Sequence, residues 1–186
     1  MNILLYNLFL ILFFLLSNIF VVLFLVFALD SLRGHDLPTS KRAIKALVNI
    51  ILTYKPKTDK FYDLGCGRGD VVVAIKKELP FLTVCGIDSN TIRIFFSRIK
   101  AGILKRKILF SKQNIFQANL NTADVIYTYL WYDLMSPLEK KLQKELRPGS
   151  IIITNTSSFP TWKPEKTYIT CPKNPDFEKL FVYIKK

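Results

Sequence analysis

The chain opens on an uninterrupted apolar run and then changes character. From Ile3 to Leu29 no side chain is charged, and the polar exceptions, Asn7, Ser17 and Asn18, are few. As a helix, this 27-residue stretch would be roughly 40 Å long at ~1.5 Å per residue, enough to cross a hydrocarbon core of about 30 Å with tilt to spare. A cleaved signal peptide would show a basic leading region, a shorter apolar stretch and a small-residue cleavage site, and none of the three is present. The run therefore predicts one transmembrane helix. Asp30 to Leu37 reads as a polar linker, and Pro38-Thr39-Ser40 as the start of a helix.

Beyond the linker the periodicity alternates between helix and strand. Ile44, Leu47, Val48 and Ile51 share one face of a helix over 41–52, and strand Lys60–Leu64 follows the Lys55-Pro56-Lys57 break. A helix over Asp70–Leu79 stops at Pro80. Leu82–Asp88 is a second strand, and Asn90–Lys100 a helix with Ile92, Phe95, Phe96 and Ile99 expected to face inward. Further strands are expected at 107–111, 124–130 and 150–155, with a charged amphipathic helix at 137–146 closed by Pro148-Gly149. Two late strands, about 167–171 and 180–184, suit an antiparallel pair. Such alternation implies an α/β fold, a mostly parallel sheet with helices on both faces, in which ligands bind at the carboxyl ends of the strands. The expected organisation is an anchor at 1–29, a linker and helix start at 30–40, and one catalytic domain at 41–186.

Charge sharpens this division. All 27 Lys and Arg and 14 Asp and Glu lie beyond Leu29, giving the later part the whole formal charge of +13. An all-membrane protein is excluded, because no second uncharged run is long enough to span, and the aliphatic and aromatic content excludes intrinsic disorder. Arg33, Lys41, Arg42 and Lys45 follow the apolar run, while only the α-amino group precedes it. The positive-inside rule then puts the N-terminus outside and the domain in the cytoplasm or its organellar equivalent. Cys66, Cys85 and Cys171 have no CxxC spacing, and His35 is the single histidine, so no metal site or Ser/His/Asp centre is expected. His35 reads as a linker residue rather than a catalytic base.

The sharpest chemical signal is Asp63-Leu64-Gly65-Cys66-Gly67-Arg68-Gly69-Asp70, a strand running into a glycine-rich turn that opens a helix. A dinucleotide fingerprint needs glycine or alanine where Asp70 stands, and a carboxylate there opposes a pyrophosphate, so a nicotinamide-dependent oxidoreductase fits poorly. With an acidic residue before the first glycine, the loop resembles motif I of the class I S-adenosylmethionine-dependent methyltransferases, which have a Rossmann-like fold. The resemblance implies S-adenosylmethionine as cofactor. Gly65, Cys66 and Gly67 would lie against it, with Asp63 toward its cationic end. Asp88, ending the second strand in Gly86-Ile87-Asp88-Ser89, would accept the ribose hydroxyls, with Ser89 beside it; Asn114 and Ile115, after the third strand, would border the adenine.

The acceptor is read from Tyr127-Thr128-Tyr129-Leu130-Trp131-Tyr132-Asp133, after the fourth strand. The absence of a Pro-Pro-aromatic pattern counts against DNA bases. The anchor, Asp36-Leu37-Pro38-Thr39, the motif I loop, Tyr129-Leu130, Leu146-Arg147-Pro148-Gly149 and Trp162-Lys163-Pro164 together resemble the small membrane-anchored protein-lysine methyltransferases. That family modifies adenine nucleotide translocase and the c subunit of ATP synthase, and has bacterial relatives. A lysine acceptor must first lose its proton, which from pKa ~10.4 costs roughly 4 to 5 kcal/mol at pH 7. Tyr129, Trp131 and Tyr132 are the candidate catalytic wall, able to desolvate the amine and attract a methylated cation, with Asp133 near the entrance. The bland alternative makes Trp131 and Tyr132 strand-core residues. The expected partners are membrane lipid, through the apolar helix, and a protein substrate. Transfer to RNA or a small molecule, and a non-catalytic S-adenosylmethionine-binding scaffold, are the alternatives; the anchor and the lack of an RNA-binding module weigh against nucleic acid.

Overall fold

A computed structural model describes residues 3–33 and 37–186. His35 and Asp36 lie outside the described residues. The chain separates into two compact units, one up to Leu37 and one from Pro38 onward.

The first unit is helix α1, Ile3–Arg33. It is apolar all round, and its stretch Ile3–Leu29 is long and apolar enough to cross a membrane while nothing in the protein buries it. A helix without a polar face is stable only in an apolar surrounding. Asn18 satisfies its amide locally, donating from Nδ2 to the Phe14 carbonyl at 2.8 Å.

The second unit holds a seven-stranded sheet. Its elements are α2 (Lys41–Tyr54), β1 (Lys60–Leu64), α3 (Asp70–Glu78), β2 (Thr83–Asp88), α4 (Thr91–Ile103), β3 (Leu109–Lys112), β4 (Val125–Thr128), α5 (Met135–Glu145), β5 (Ile151–Asn155), β6 (Lys166–Ile169) and β7 (Lys179–Ile184), with a 3-10 turn at Tyr132–Leu134. The strand order is β3-β2-β1-β4-β5-β7-β6. β7 runs antiparallel to both of its neighbours, while the other pairings are parallel, so the expected late antiparallel pair is present. The order reverses between β1 and β4, the switch point where such sheets open a crevice.

Each face of the sheet carries its own core. On one, Leu47, Ile50 and Ile51 of α2 and Val72 and Ile75 of α3 pack on Phe61, Val84, Val125 and Tyr127. On the other, Leu138 and Leu142 of α5 pack on Leu64, Ile126, Ile152 and Tyr183. Ser40 caps α2, its Oγ accepting from Ala43 N at 3.1 Å, and Asn90 caps α4 through Oδ1.

Two differences from the pattern-based expectation bear on the site. β4 stops at Thr128 instead of continuing to Leu130, because the chain there turns over the cofactor loop. In α4 the inward face is Ile94, Ser97 and Ala101, whereas Ile92, Phe95 and Ile99, expected inside, are 37%, 47% and 40% exposed. The reason is close approach. A Cβ placed on Gly69 would stand 3.2 Å from Ser97 Cβ, and Ser97 Oγ donates to the Gly67 carbonyl at 2.9 Å. Contact with the glycine loop requires a small side chain, so the large ones turn outward.

Candidate active site

The glycine loop is fixed by backbone geometry. Gly65, Gly67 and Gly69 have φ of +79°, +52° and +76°, a region that disfavours side chains. At Gly65 a Cβ would also lie 2.7 Å from Leu130 Cδ2. The glycine therefore lets the loop after β4 close directly onto the loop after β1. Gly65 N and Cys66 N both donate to the Ile87 carbonyl, at 2.8 and 3.0 Å, which ties the turn to β2. A side chain at Gly86 would collide with Cys66 Sγ at 2.9 Å and Phe110 at 3.0 Å.

Parallel pairing brings the two expected carboxylates to the same edge. Asp63 is aligned with Gly86 and Leu64 with Ile87, one step before Asp88. Asp88 is 7% exposed; its Oδ2 accepts from Gly67 N at 2.9 Å and its Oδ1 from Asn90 N at 2.8 Å. One side chain thus fixes both the loop and the start of α4, while each carboxylate oxygen keeps further lone pairs for a ligand. Asp63 is 3% exposed. Burial, then the negative charges of Asp88 and Asp70, push its carboxyl well above the usual carboxylate range. A positive group at this edge would offset the repulsion and favour the charged form. S-adenosylmethionine, with an ammonium and a sulfonium, fits this requirement. Burial, then Asp63 and Asp88, also drive the Cys66 thiol strongly upward, so it stays protonated and is not a nucleophile.

The remaining sequence-derived candidates fall into two groups. Ser89 is exposed beside Asp88; Asn114 is exposed after β3, and Ile115 is buried. Asn114 begins a turn, its Oδ1 accepting from Phe116 N at 2.9 Å. Tyr129 is partly buried against the α2–α3 core. Trp131 and Tyr132 are 57% and 70% exposed, so the strand-core alternative does not hold for them. The strand-core aromatic is Tyr127 instead. Trp162 belongs to the second core, stacked on Phe159 at a centroid distance of 5.9 Å and packed on Tyr183 at 5.7 Å. Among the described residues no cluster of His, Cys, Asp and Glu could hold a metal.

Sequence reasoning missed a buried hydrogen-bonded network beside this edge. Tyr127 Oη shares a 2.8 Å bond with Thr39 Oγ1 and accepts from Asn155 Nδ2 at 3.0 Å. Asn155 Nδ2 also donates to Glu178 Oε1 at 2.9 Å, and Ser40 Oγ donates to Glu178 Oε2 at 2.5 Å. Thr170 Oγ1 donates to the Glu178 carbonyl at 2.8 Å. The network joins the start of α2 to the ends of β4, β5 and β6 and the segment leading into β7. Burial pushes the Tyr127 phenol upward, keeping it protonated. The local sequence around Ser40 and Glu178 carries no signal for pairing across 138 positions; the nearest hint is the placement of polar Asn155 at the end of an apolar strand.

The sheet order, the glycine loop and the paired strand-end carboxylates define a class I, S-adenosylmethionine-dependent methyltransferase. More narrowly, the model of the ANTKMT methyltransferase domain matches residues 63–166, and the chain belongs to that family. It is 25% identical over 131 residues to a protein-lysine N-methyltransferase of Saccharolobus islandicus, covering 69% of this chain and 80% of that one. It is 26% identical over 145 residues to the lysine N-methyltransferase of the ATP synthase c subunit from Xenopus laevis, covering 76% of this chain and 63% of the relative. The chain spans about three-fifths of the length of the frog, mouse and human proteins of that name. Among solved structures, an RNA methyltransferase of Salinibacter ruber in complex with S-adenosyl-L-homocysteine superposes with a TM-score of 0.65. At 22% identity over 80% of this chain and 93% of that one, it establishes the fold.

Proposed function

We propose that this chain is a membrane-anchored methyltransferase that transfers the methyl group of S-adenosylmethionine to a lysine of a membrane or membrane-associated protein. The observation carrying this reading is the contact of Leu130 with Gly65. It joins the loop bearing the exposed Trp131 and Tyr132 to the loop expected to hold the cofactor. The lysine-directed activity named for the relatives supports the choice of acceptor.

S-adenosylmethionine supplies an activated methyl group on sulfur. Asp63 would hold the cofactor's cationic end, Asp88 its ribose hydroxyls, and Asn114 and Ile115 would border the adenine. Gly65, Cys66 and Gly67 give it a surface of backbone, with Ser89 at its margin. Tyr129, Trp131 and Tyr132 would orient the lysine and exclude water from it, lowering the cost of an unprotonated amine. Asp133, exposed on the 3-10 turn, would attract the incoming ammonium. Methyl transfer by in-line displacement needs alignment more than it needs a dedicated acid, and no metal is invoked.

In the proposed organisation residues 1–29 anchor the chain, 30–40 link, and 41–186 catalyse, with the N-terminus outside and the domain facing the cytoplasm or its organellar equivalent. The basic residues following the apolar helix support that orientation. The reading is tested by incubating the full chain and membranes with methyl-labelled S-adenosylmethionine and locating the label by mass spectrometry. Label on a lysine Nζ of a membrane protein is expected. Label confined to RNA or to small molecules would overturn it.

A further inference from the structure

Helix α4 has two apolar faces, and only one is used. At about 100° per residue, Ile94, Ser97 and Ala101 form the face against the sheet, while Ile92, Phe95, Ile99 and Ile103 fall in a sector of about 80° on the roughly opposite side. These four side chains are 37%, 47%, 40% and 75% exposed, and Leu104 and Leu109 nearby are 47% and 62% exposed. A solvent-facing stripe of this kind is the reverse of what a soluble helix presents.

Its charge surroundings select a partner. Arg93 and Lys100, the latter paired with Asp70, flank the stripe on one side, and Arg98, whose Nη2 donates to the Phe110 carbonyl at 3.0 Å, flanks it on the other. From Ser89 to Ala123 the chain has seven Lys and Arg and no Asp or Glu, more than half of the +13 excess. An apolar stripe bordered on both sides by basic side chains is the composition of a helix that lies in a membrane interface, stripe toward the acyl chains and cations among the headgroups. A protein partner would need an apolar groove with acidic walls on both sides; an anionic bilayer offers this chemistry everywhere.

We infer that the outward face of α4, with the basic segment that follows it, docks the catalytic domain on an anionic lipid surface. This deepens the proposed function, resting on its membrane anchoring but not on the identity of the acceptor. Docking through a second site would keep the site oriented toward substrates in the same bilayer. The basic residues strengthen the contact at about fivefold per side chain near the headgroups, and salt weakens it.

The test uses the full chain reconstituted in vesicles of phosphatidylcholine, or of equimolar phosphatidylcholine and phosphatidylglycerol, with Phe95→benzoylphenylalanine as a photoreactive probe. Phe81→benzoylphenylalanine, at a position 60% exposed in the turn before β2, serves as the control. Irradiation is expected to give lipid adducts at position 95, at least about fivefold more than at position 81 and at least about fivefold more with phosphatidylglycerol than without it. Adding Ile99→Glu, on the exposed stripe, should remove the excess while leaving S-adenosylhomocysteine binding intact. Lipid adducts equal at the two positions, or cross-links from position 95 to a second copy of the chain, would overturn the inference. Alkaline extraction of a second sample separates this from the anchoring claim: release of the chain refutes the span, while the adduct pattern before extraction decides the docking.

Discussion

The two halves of the site edge are built by different means. Around β1 and β2, geometry is set by backbone: three glycines at positive φ, two amides on the Ile87 carbonyl, and a carboxylate that accepts from Gly67 N. Around β4, β5 and β7, it is set by side chains from distant segments, Thr39, Ser40, Tyr127, Asn155, Thr170 and Glu178, bonded in one buried network. The first half leaves Asp63 buried among like charges. The second bonds these side chains to one another and gains rigidity instead. The contrast teaches that one side of the switch point is built from backbone and buried charge, and the other from side chains bonded to one another.

Substitutions separate the two sides. The largest effect is expected for Gly65→Ala, which forces a side chain into a left-handed conformation and against Leu130. It should abolish measurable S-adenosylhomocysteine binding in calorimetry, a loss of at least about 100-fold if roughly 3 kcal/mol of strain and displacement falls on the loop. In the other half, Glu178→Ala removes the carboxylate that accepts from Ser40 Oγ, Asn155 Nδ2 and, at 3.2 Å, Thr170 Oγ1. It should lower unfolding stability by about 3 kcal/mol in denaturant titration, with cofactor affinity altered far less.

Asp63→Asn sharpens the comparison because it should move the two properties in opposite directions. The folded-state pKa of Asp63 is raised above its unfolded value, so ionisation favours the unfolded chain, and stability falls as pH rises from the unfolded pKa toward the folded one. Removing the charge should therefore raise the cofactor-free Tm at neutral pH by roughly 2 to 8 °C, read by scanning calorimetry, while weakening cofactor binding. In the wild-type chain, affinity for S-adenosylmethionine should fall as pH is lowered through the raised folded-state pKa, and cofactor binding should release protons near it. Calorimetry in buffers of different ionisation enthalpy measures that release. The smallest effect on stability is expected for Tyr132→Ala. This side chain is 70% exposed, so Tm should stay within about 1 °C while KM for the protein acceptor rises.

The same contrast explains what the sequence could reveal. Strand β1 appears over Lys60–Leu64 as expected, and the glycine loop and Asp88 stand at consecutive strand ends because backbone-built sites need particular residues at short, fixed spacing. The Glu178 network was illegible because its members are ordinary polar residues whose meaning comes only from pairing across the fold. The inward face of α4 was misassigned for a related reason: hydrophobic periodicity favours large residues, while contact with Gly67 and Gly69 demanded Ser97. Periodicity finds a helix and its apolar stripe, but a helix with two stripes gives no internal sign of which one meets the sheet.

The central claim is that the carboxylate ending β2 makes the cofactor site, and Asp88→Asn tests it with little change in volume. Titration of S-adenosylhomocysteine into the wild-type chain and this variant is predicted to show affinity reduced by roughly 10- to 100-fold, the worth of one to two charge-assisted hydrogen bonds. Unchanged affinity in a folded variant would contradict the account.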